Sequence, residues 1–304
     1  MERFDLNILG CGSATPTLQH NPTSQVLNVR EKLFMIDCGE GTQLQFRHSR
    51  LRFGRLNHIF ISHLHGDHCF GLIGLISTLA LLGRTGDITI HAHADLETIL
   101  RPQLDYFCRE IPCDVKIEPF DPQISELIYE DRSITVKTIP LIHRIPCAGF
   151  LFQEKPKEAH LITDKIKFYD IPIKELAKIK KGADFIREDG TIVPNERLTR
   201  PAEPSKSYAY CSDTAYNEKI IPIIEGVDLL YHEATFADAE AFRAKQTGHS
   251  TARQAGKIAK MAGVKKLMLG HFSARYTDNG ILLQEAKELF DNTILANEGL
   301  CEKL

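Results

Sequence analysis

The sequence predicts an α+β architecture of two mixed β-sheets covered by helices. Short apolar segments bounded by turn residues read as strands, and a few longer segments carry helical periodicity. Strands crowd the first half of the chain, whereas strand–helix alternation returns near Tyr208. No internal repeat or low-complexity tract interrupts this order.

The strand segments are residues 6–9, 26–29, 33–36, 59–61, 88–90, 115–117, 127–129, 134–138, 208–211, 228–231 and 267–269, each a brief apolar run. Helical spacing of apolar residues covers 72–82, 96–107, 251–261 and 282–290. Thr251 and Gln254 form a capping box at the start of the third of these. With 304 residues, 43% hydrophobic and 25% charged, the chain is long enough for a large core. No apolar run approaches the ~18 residues of a membrane helix. The first strand begins at about Phe4, which leaves no room for a signal peptide. None of the eight cysteines forms a C-x-x-C pair, so reduced thiols in a cytoplasm are expected rather than a disulfide framework. The formal charge of −3 neither favours nor excludes a polyanionic partner. The least regular stretch, from about 153 to 206, contains Lys165, Lys167, Lys174, Lys178, Lys180 and Lys181 against Asp164, Asp170 and Glu175. It reads as a solvated face or as an insertion that grips a polyanion. Arg47, Arg50, Arg52 and Arg55 make a second basic run.

Chemistry concentrates in Ser62-His63-Leu64-His65-Gly66-Asp67-His68, between the strand at 59–61 and a helix expected near Gly71. Burying so many polar groups beside a strand end is costly without a partner, and a metal supplies one. Imidazole and carboxylate suit Zn²⁺, with Mn²⁺ or Fe as alternatives. Alternation places His63 and His65 on one side, and a reversal at Gly66 turns Asp67 and His68 toward a second ion. Further ligands must come from elsewhere. His143, Asp213 and His271 each follow a predicted strand, the position where α/β sites gather.

This set, with Asp37, resembles the metallo-β-lactamase superfamily, which implies an αββα four-layer sandwich across nearly all of 1–304. Gly10-Cys11-Gly12-Ser13-Ala14-Thr15-Pro16, Asp37-Cys38-Gly39-Glu40-Gly41-Thr42, His232-Glu233-Ala234-Thr235-Phe236, Gly248-His249-Ser250-Thr251 and His271-Phe272-Ser273-Ala274-Arg275-Tyr276 resemble the short form of the ribonuclease Z family. The resemblance implies a single domain with a tRNA-gripping arm inserted at about 153–182. It implies two Zn²⁺ per subunit, one on His63, His65 and His143 and the other on Asp67, His68 and His271, with Asp213 bridging. Asp37 would orient this loop and its ligands. Asp67 would accept a proton from the attacking water, and His249, supported by Glu233, would donate one to the leaving oxygen. The implied activity is zinc-dependent removal of the 3′ trailer from precursor tRNA, leaving a 3′-hydroxyl on the tRNA and a 5′-phosphate on the trailer. The implied assembly is a cytoplasmic homodimer, not bound to a membrane, in which the arm of one subunit serves the active site of the other. The six arm lysines and Arg275 are the expected RNA contacts. In the arm, Lys174-Glu175 stands where the family has a Gly-Pro step. The loop Pro16-Thr17-Leu18-Gln19-His20-Asn21 departs from the basic loop with which part of the family rejects CCA-ending tRNA. His91 and His93, spaced like a ligand pair, are expected to be structural or surface residues. Alternative functions are a phosphodiesterase for small substrates such as cyclic nucleotides and, more remotely, a non-catalytic RNA-binding scaffold.

Overall fold

A computed structural model describes residues 3–304. In chain order, the first half runs β1 (Phe4–Gly10), β2 (Ser24–Val29), β3 (Lys32–Cys38), α1 (Thr42–His48), β4 (Leu56–Phe60), α2 (Gly66–Cys69), α3 (Gly71–Leu81), β5 (Ile88–Ala92), α4 (Leu96–Phe107), β6 (Val115–Pro119), β7 (Leu127–Glu130), β8 (Ile134–Pro140) and β9 (Ala148–Glu154). Then follow β10 (His160–Leu161), α5 (Thr163–Phe168), α6 (Ile173–Lys180), β11 (Phe185–Ile186), β12 (Ile192–Val193) and β13 (Thr199–Arg200). The last third holds β14 (Ser207–Cys211), α7 (Ile221–Ile224), β15 (Leu229–Glu233), α8 (Ala241–Thr247), α9 (Ala252–Ala262), β16 (Leu267–Gly270), α10 (Gly280–Lys287), β17 (Thr293–Leu295) and β18 (Cys301–Lys303).

Two seven-stranded sheets result, ordered β18-β1-β2-β3-β4-β5-β6 and β17-β16-β15-β14-β9-β8-β7. Both are mixed. Strands β1 to β3 pair antiparallel, then β3 to β6 pair parallel. In the second sheet β14 to β17 are parallel, and β14 pairs antiparallel with β9.

The period-2 alternation of strands sorts the cores. Phe34 and Ile36 of β3 join Phe150, Phe152, Tyr208 and Tyr210 of the second sheet in one cluster. Leu33 and Met35, the alternate residues of the same strand, face α3 and α4 through Leu72, Leu75, Leu100 and Leu104. Helix α9 covers the other side of the second sheet with Ala255, Ile258 and Ala259. The four layers are thus helix, sheet, sheet, helix.

Contacts divide the chain into two compact units. One comprises Met1–Gln153 with Lys206–Leu304, and the other is Glu154–Ser205. The smaller unit has its own core of Ile171, Ile179, Val193 and Leu198. It is inserted between antiparallel neighbours, since Gln153 of β9 pairs with Ser207 of β14. Its bounds match those of the irregular, lysine-rich stretch at about 153 to 206.

Two local expectations need correction. The chain does not simply reverse at Gly66, because α2 begins there and continues through Phe70 into α3. The Phe70 N–H donates to the Gly66 carbonyl at 2.8 Å, and Phe70 itself keeps helical torsions (φ −63°, ψ −21°). The sequence also hides β9, whose Gly149 and flanking Pro146 weaken the strand signal. Gly149 is required there, because a Cβ would lie 2.2 Å from the Tyr210 carbonyl of the next strand. The capping box at Thr251 is present as expected, with Gln254 reciprocating.

Candidate metal centre and active site

The polar cluster forms where strands of both sheets end. Asp37 lies in β3, near its C-terminal end, and β3 pairs parallel with β4, which leads into Ser62 and His63. Asp213 and His271 follow β14 and β16, while Glu233 is the last residue of β15. Asp37, Asp213 and His271 adopt left-handed backbone (φ 56°, 53° and 58°). Such torsions are uncommon outside glycine, although Asp and His tolerate them best, and they turn the side chain off the strand line. Asp37, His63, His68, Glu233 and His271 are almost completely buried.

Two sets of ligand-type atoms converge. His65 Nδ1 lies 2.9 Å from His63 Nε2 and 3.2 Å from His143 Nε2, and Asp213 Oδ2 is 3.6 Å from each of those Nε2 atoms. On the other side, Asp213 Oδ1 is 3.2 Å from His68 Nε2 and 2.9 Å from His271 Nε2. Asp67 Oδ2 is 3.4 Å and 3.7 Å from the same two nitrogens. Asp213 therefore presents one carboxylate oxygen to each set.

The remaining ring nitrogens explain why these atoms point inward. His143 Nδ1 donates to the Gly248 carbonyl at 2.9 Å. Gly248 has φ 74°, and a Cβ there would come 3.1 Å from His143 Nδ1, so glycine lets the carbonyl approach. His68 Nδ1 donates to Asp37 Oδ2 at 2.7 Å. His63 Nδ1 donates to Ser62 Oγ at 3.0 Å, and that hydroxyl donates to Asp37 Oδ2 at 2.9 Å. His271 repeats the relay, from Nδ1 to Thr235 Oγ1 at 3.0 Å and on to Glu233 Oε2 at 2.6 Å. Each relay fixes the tautomer that leaves Nε2 with its lone pair facing the cluster.

The donor set fits divalent metals. His68 Nε2 and His271 Nε2 are buried without a hydrogen-bond partner, a costly state that a metal relieves. Tetrahedral ligands at ~2.0–2.1 Å stand roughly 3.3 Å apart, close to the spacings of both sets. The carboxylates also demand positive charge. Burial opposes charging His68 and His271, yet Asp213 and Asp37 hold His68 well above its ordinary value, and Asp213 holds His271 at about 10. Burial likewise opposes charging Asp67 and Asp213, but the surrounding histidines keep both carboxyls far below the usual range. Metal ions would take the place of those protons. Burial keeps His63 and His143 low, as neutral ligands require.

His249 sits beside both sets, its Nδ1 2.9 Å from Glu233 Oε1. Burial lowers its pKa, but the Glu233 carboxylate outweighs burial and raises it. Glu233 is not an exposed acid. It accepts from His249, Thr235, the Thr214 N–H at 2.7 Å and the Ser250 N–H at 3.0 Å. Asp37 also accepts from the Ser62 N–H at 2.7 Å and the Tyr210 hydroxyl at 2.6 Å. The Ala14 N–H holds Asp67 Oδ2 at 2.8 Å.

An open cleft of about 310 Å³ exposes the cluster, with Ala14, His65, Asp67 and His249 joined by Phe70 and Arg144. Of the other expected contacts, Lys165, Lys167, Lys174, Lys178 and Lys181 are exposed on the smaller unit and Lys180 is partly buried there. Lys178 pairs with Glu175, and Lys165 lies over the Phe168 ring. Arg275 is already engaged, 3.3 Å from Glu240 and stacked on Phe236. His91 is buried against Phe60, and His93 stands beside Asp95. Sequence reasoning missed the roles of Ser62, Thr235 and Tyr210. Ser62 and Thr235 do lie inside the motifs that drew attention to their neighbours. No helix among the described residues is long and apolar enough to cross a membrane.

Known proteins resemble the chain over most or all of its length. The family described as "Anti-Pycsar protein Apyc1" matches residues 4–178, a span that ends before Asp213, Glu233, His249 and His271. Ribonuclease Z of Phocaeicola vulgatus is 62% identical over 300 residues, covering 99% of this chain and 97% of its own. Ribonuclease Z of Bacteroides fragilis is 58% identical over 304 residues, covering all of both. Among solved structures, human tRNase Z, short form, is 27% identical with a TM-score of 0.71 and 98% coverage of each chain. The metallo-β-lactamase fold protein YhfI from Bacillus subtilis is 20% identical, with the same TM-score and full coverage, and shares the fold.

Proposed function

The chain belongs to the ribonuclease Z family, tRNA 3′-processing endonucleases of metallo-β-lactamase fold, and from that membership we propose how its residues cut precursor tRNA. The observation that carries the reading is the single Asp213 carboxylate set between two groups of imidazoles.

His63, His65 and His143 would hold one divalent ion and Asp67, His68 and His271 a second, with Asp213 shared, and zinc suits this nitrogen–oxygen donor set. When bound, such ions supply Lewis acidity, bringing the pKa of water to about 7 and offsetting phosphodiester charge. The chain's own residues do the rest. Asp67, steadied by the Ala14 N–H, accepts a proton from the attacking water. Attack at phosphorus breaks the bond to the tRNA 3′-oxygen, so the phosphate stays on the trailer. The departing alkoxide needs a proton, and His249, whose pKa the Glu233 carboxylate raises, is the group in the cleft suited to donate it.

The Glu154–Ser205 unit, with its exposed lysines, would grip the tRNA body, its phosphates meeting charge rather than shape. We further propose a homodimer with this arm working across subunits. In the larger unit, the exposed apolar residues Leu81, Tyr106 and Phe107 of α3 and α4 line one hollow and offer a surface for a second copy. A cytoplasmic location fits eight free cysteines. The direct test is incubation with a precursor tRNA and, separately, with cyclic nucleotides. Cleavage at the tRNA 3′ end supports the assignment, and turnover of cyclic nucleotides alone would replace it with the small-substrate phosphodiesterase.

A further inference from the structure

Two residues on the rim of the cleft have no part in the ligand sets or their relays. Phe70 is 71% exposed, a large apolar ring at the mouth of a polar site. Its position is nevertheless fixed. The ring lies against the backbone of Gly66, where a Cβ would approach ring atoms to 2.2 Å, and its own backbone is locked at the α2–α3 junction. One part of the ring is thus seated on the loop that carries His65 and Asp67, and the rest faces the cleft mouth. Arg144, next to His143, is the cleft's lone lysine or arginine among the described residues. It is exposed, and no hydrogen bond or ion pair engages its guanidinium among the described residues. Arg275, by contrast, is already paired with Glu240.

We infer that Phe70 and Arg144 form a nucleotide-binding rim, in which Phe70 stacks on the base of a nucleotide flanking the scissile phosphate and Arg144 holds a neighbouring phosphate. This rests on the phosphodiesterase reading above and adds what the site recognises beyond the reacting phosphate. The chemistry follows from the two groups. Single-stranded RNA offers an unstacked base for a seated aromatic face, and stacking tolerates any base. A free guanidinium matches phosphate oxygens in a bidentate fork. A base-free phosphodiester would use neither group fully.

The test compares thymidine 5′-(4-nitrophenyl phosphate) with methyl 4-nitrophenyl phosphate, alongside precursor tRNA, for the metal-loaded protein and its variants. Both esters release the same phenolate, so the ratio of their kcat/KM values isolates the nucleoside. Phe70→Ala should lower that ratio, and kcat/KM for precursor tRNA, by about 5- to 150-fold, the usual range for one stacked base. Phe70→Trp should retain the ratio, and Phe70→Leu should behave like alanine. Arg144→Ala should flatten the salt dependence of log kcat/KM for precursor tRNA by about 0.7, one phosphate contact on a single strand. Thermal unfolding checks that these exposed substitutions leave the fold intact. An unchanged ratio in Phe70→Ala, leucine as good as phenylalanine, or an unchanged salt slope in Arg144→Ala would overturn the inference. If the wild type spares precursor tRNA but shows the Phe70-dependent ratio, the endonuclease reading fails and the rim stands. If it cuts precursor tRNA with no effect of Phe70 on the ratio, the rim fails alone.

Discussion

Replacing Asp37 with asparagine isolates the part of the site that never touches the substrate cleft. Asp37 Oδ2 accepts three side-chain donors, from Ser62, His68 and Tyr210, while Oδ1 accepts the Ser62 N–H. Asparagine keeps one acceptor and puts an NH₂ where the other stood. Two of the three donors can adapt. The Tyr210 hydroxyl has Thr23 Oγ1 at 3.5 Å, and the Ser62 hydroxyl can rotate. His68 Nδ1 has no such choice, since its ring is buried with Nε2 committed to the cluster. Either the His68 donor or the Ser62 N–H is left facing an amide. A buried donor without a partner costs about 1–3 kcal/mol, and loss of a residue that orients a metal-binding histidine typically weakens metal binding 10–100-fold. Asp37→Asn should therefore weaken the ion held by His68, His271 and Asp67 by roughly 10–100-fold. The ion held by His63, His65 and His143 should weaken less, because Ser62 still accepts from His63. Competition with a chromophoric chelator resolves the two affinities. Equal weakening of both sites, or lower thermal stability with both affinities intact, would refute the relay argument and leave Asp37 as a folding residue.

Other expectations follow from the same geometry. Asp67→Ala should cost about 10²–10⁴-fold or more in kcat with a much smaller loss of precursor-tRNA affinity, read by single-turnover kinetics and filter binding. His249→Ala should damage precursor-tRNA cleavage far more than hydrolysis of a 4-nitrophenyl ester, because a phenolate departs without a proton and a ribose alkoxide does not. Equal losses on the two substrates would remove His249 from the acid role. Burial holds His58 down to about 4 and His91 to about 3, so the unfolded chain, with histidines near 6.5, takes up their protons first. Their contribution to stability is complete above about pH 6.5 and is lost as pH falls toward 4. The urea midpoint should drop over that window, and His91→Phe should blunt the drop. Finally, replacing Glu154–Ser205 by a short turn joins Gln153 to Lys206 at the paired strands β9 and β14. That variant should cleave precursor tRNA poorly. Mixing it with the Asp67→Ala chain should restore cleavage if the arm acts across a dimer, and should not if it acts within one chain.

The sequence made the residues of the two converging sets legible for a simple reason. His63, His65, Asp67 and His68 are contiguous, and His143, Asp213 and His271 share one position type beyond a strand. The hydroxyl links that join them to Asp37 and Glu233 were not legible. The relay from His63 to Asp37 exists because β3 and β4 are parallel neighbours. The relay from His271 to Glu233 exists because Glu233 pairs with Gly270 across β15 and β16. Both depend on strand order, which periodicity does not encode. The lysine-rich stretch shows the opposite limit. Composition marked a charged, irregular stretch from about 153 to 206, but not the compact core of Ile171, Ile179, Val193 and Leu198 that it folds around.

Metal counting on single-ligand variants tests the two-set arrangement most directly. Elemental analysis of metal-replete protein should give two ions per chain. His65→Ala and His271→Ala should each give one, and Asp213→Ala should destabilise both. A wild-type stoichiometry that stays near one, or one ion lost in the same site from both histidine variants, would contradict a carboxylate shared between two metals.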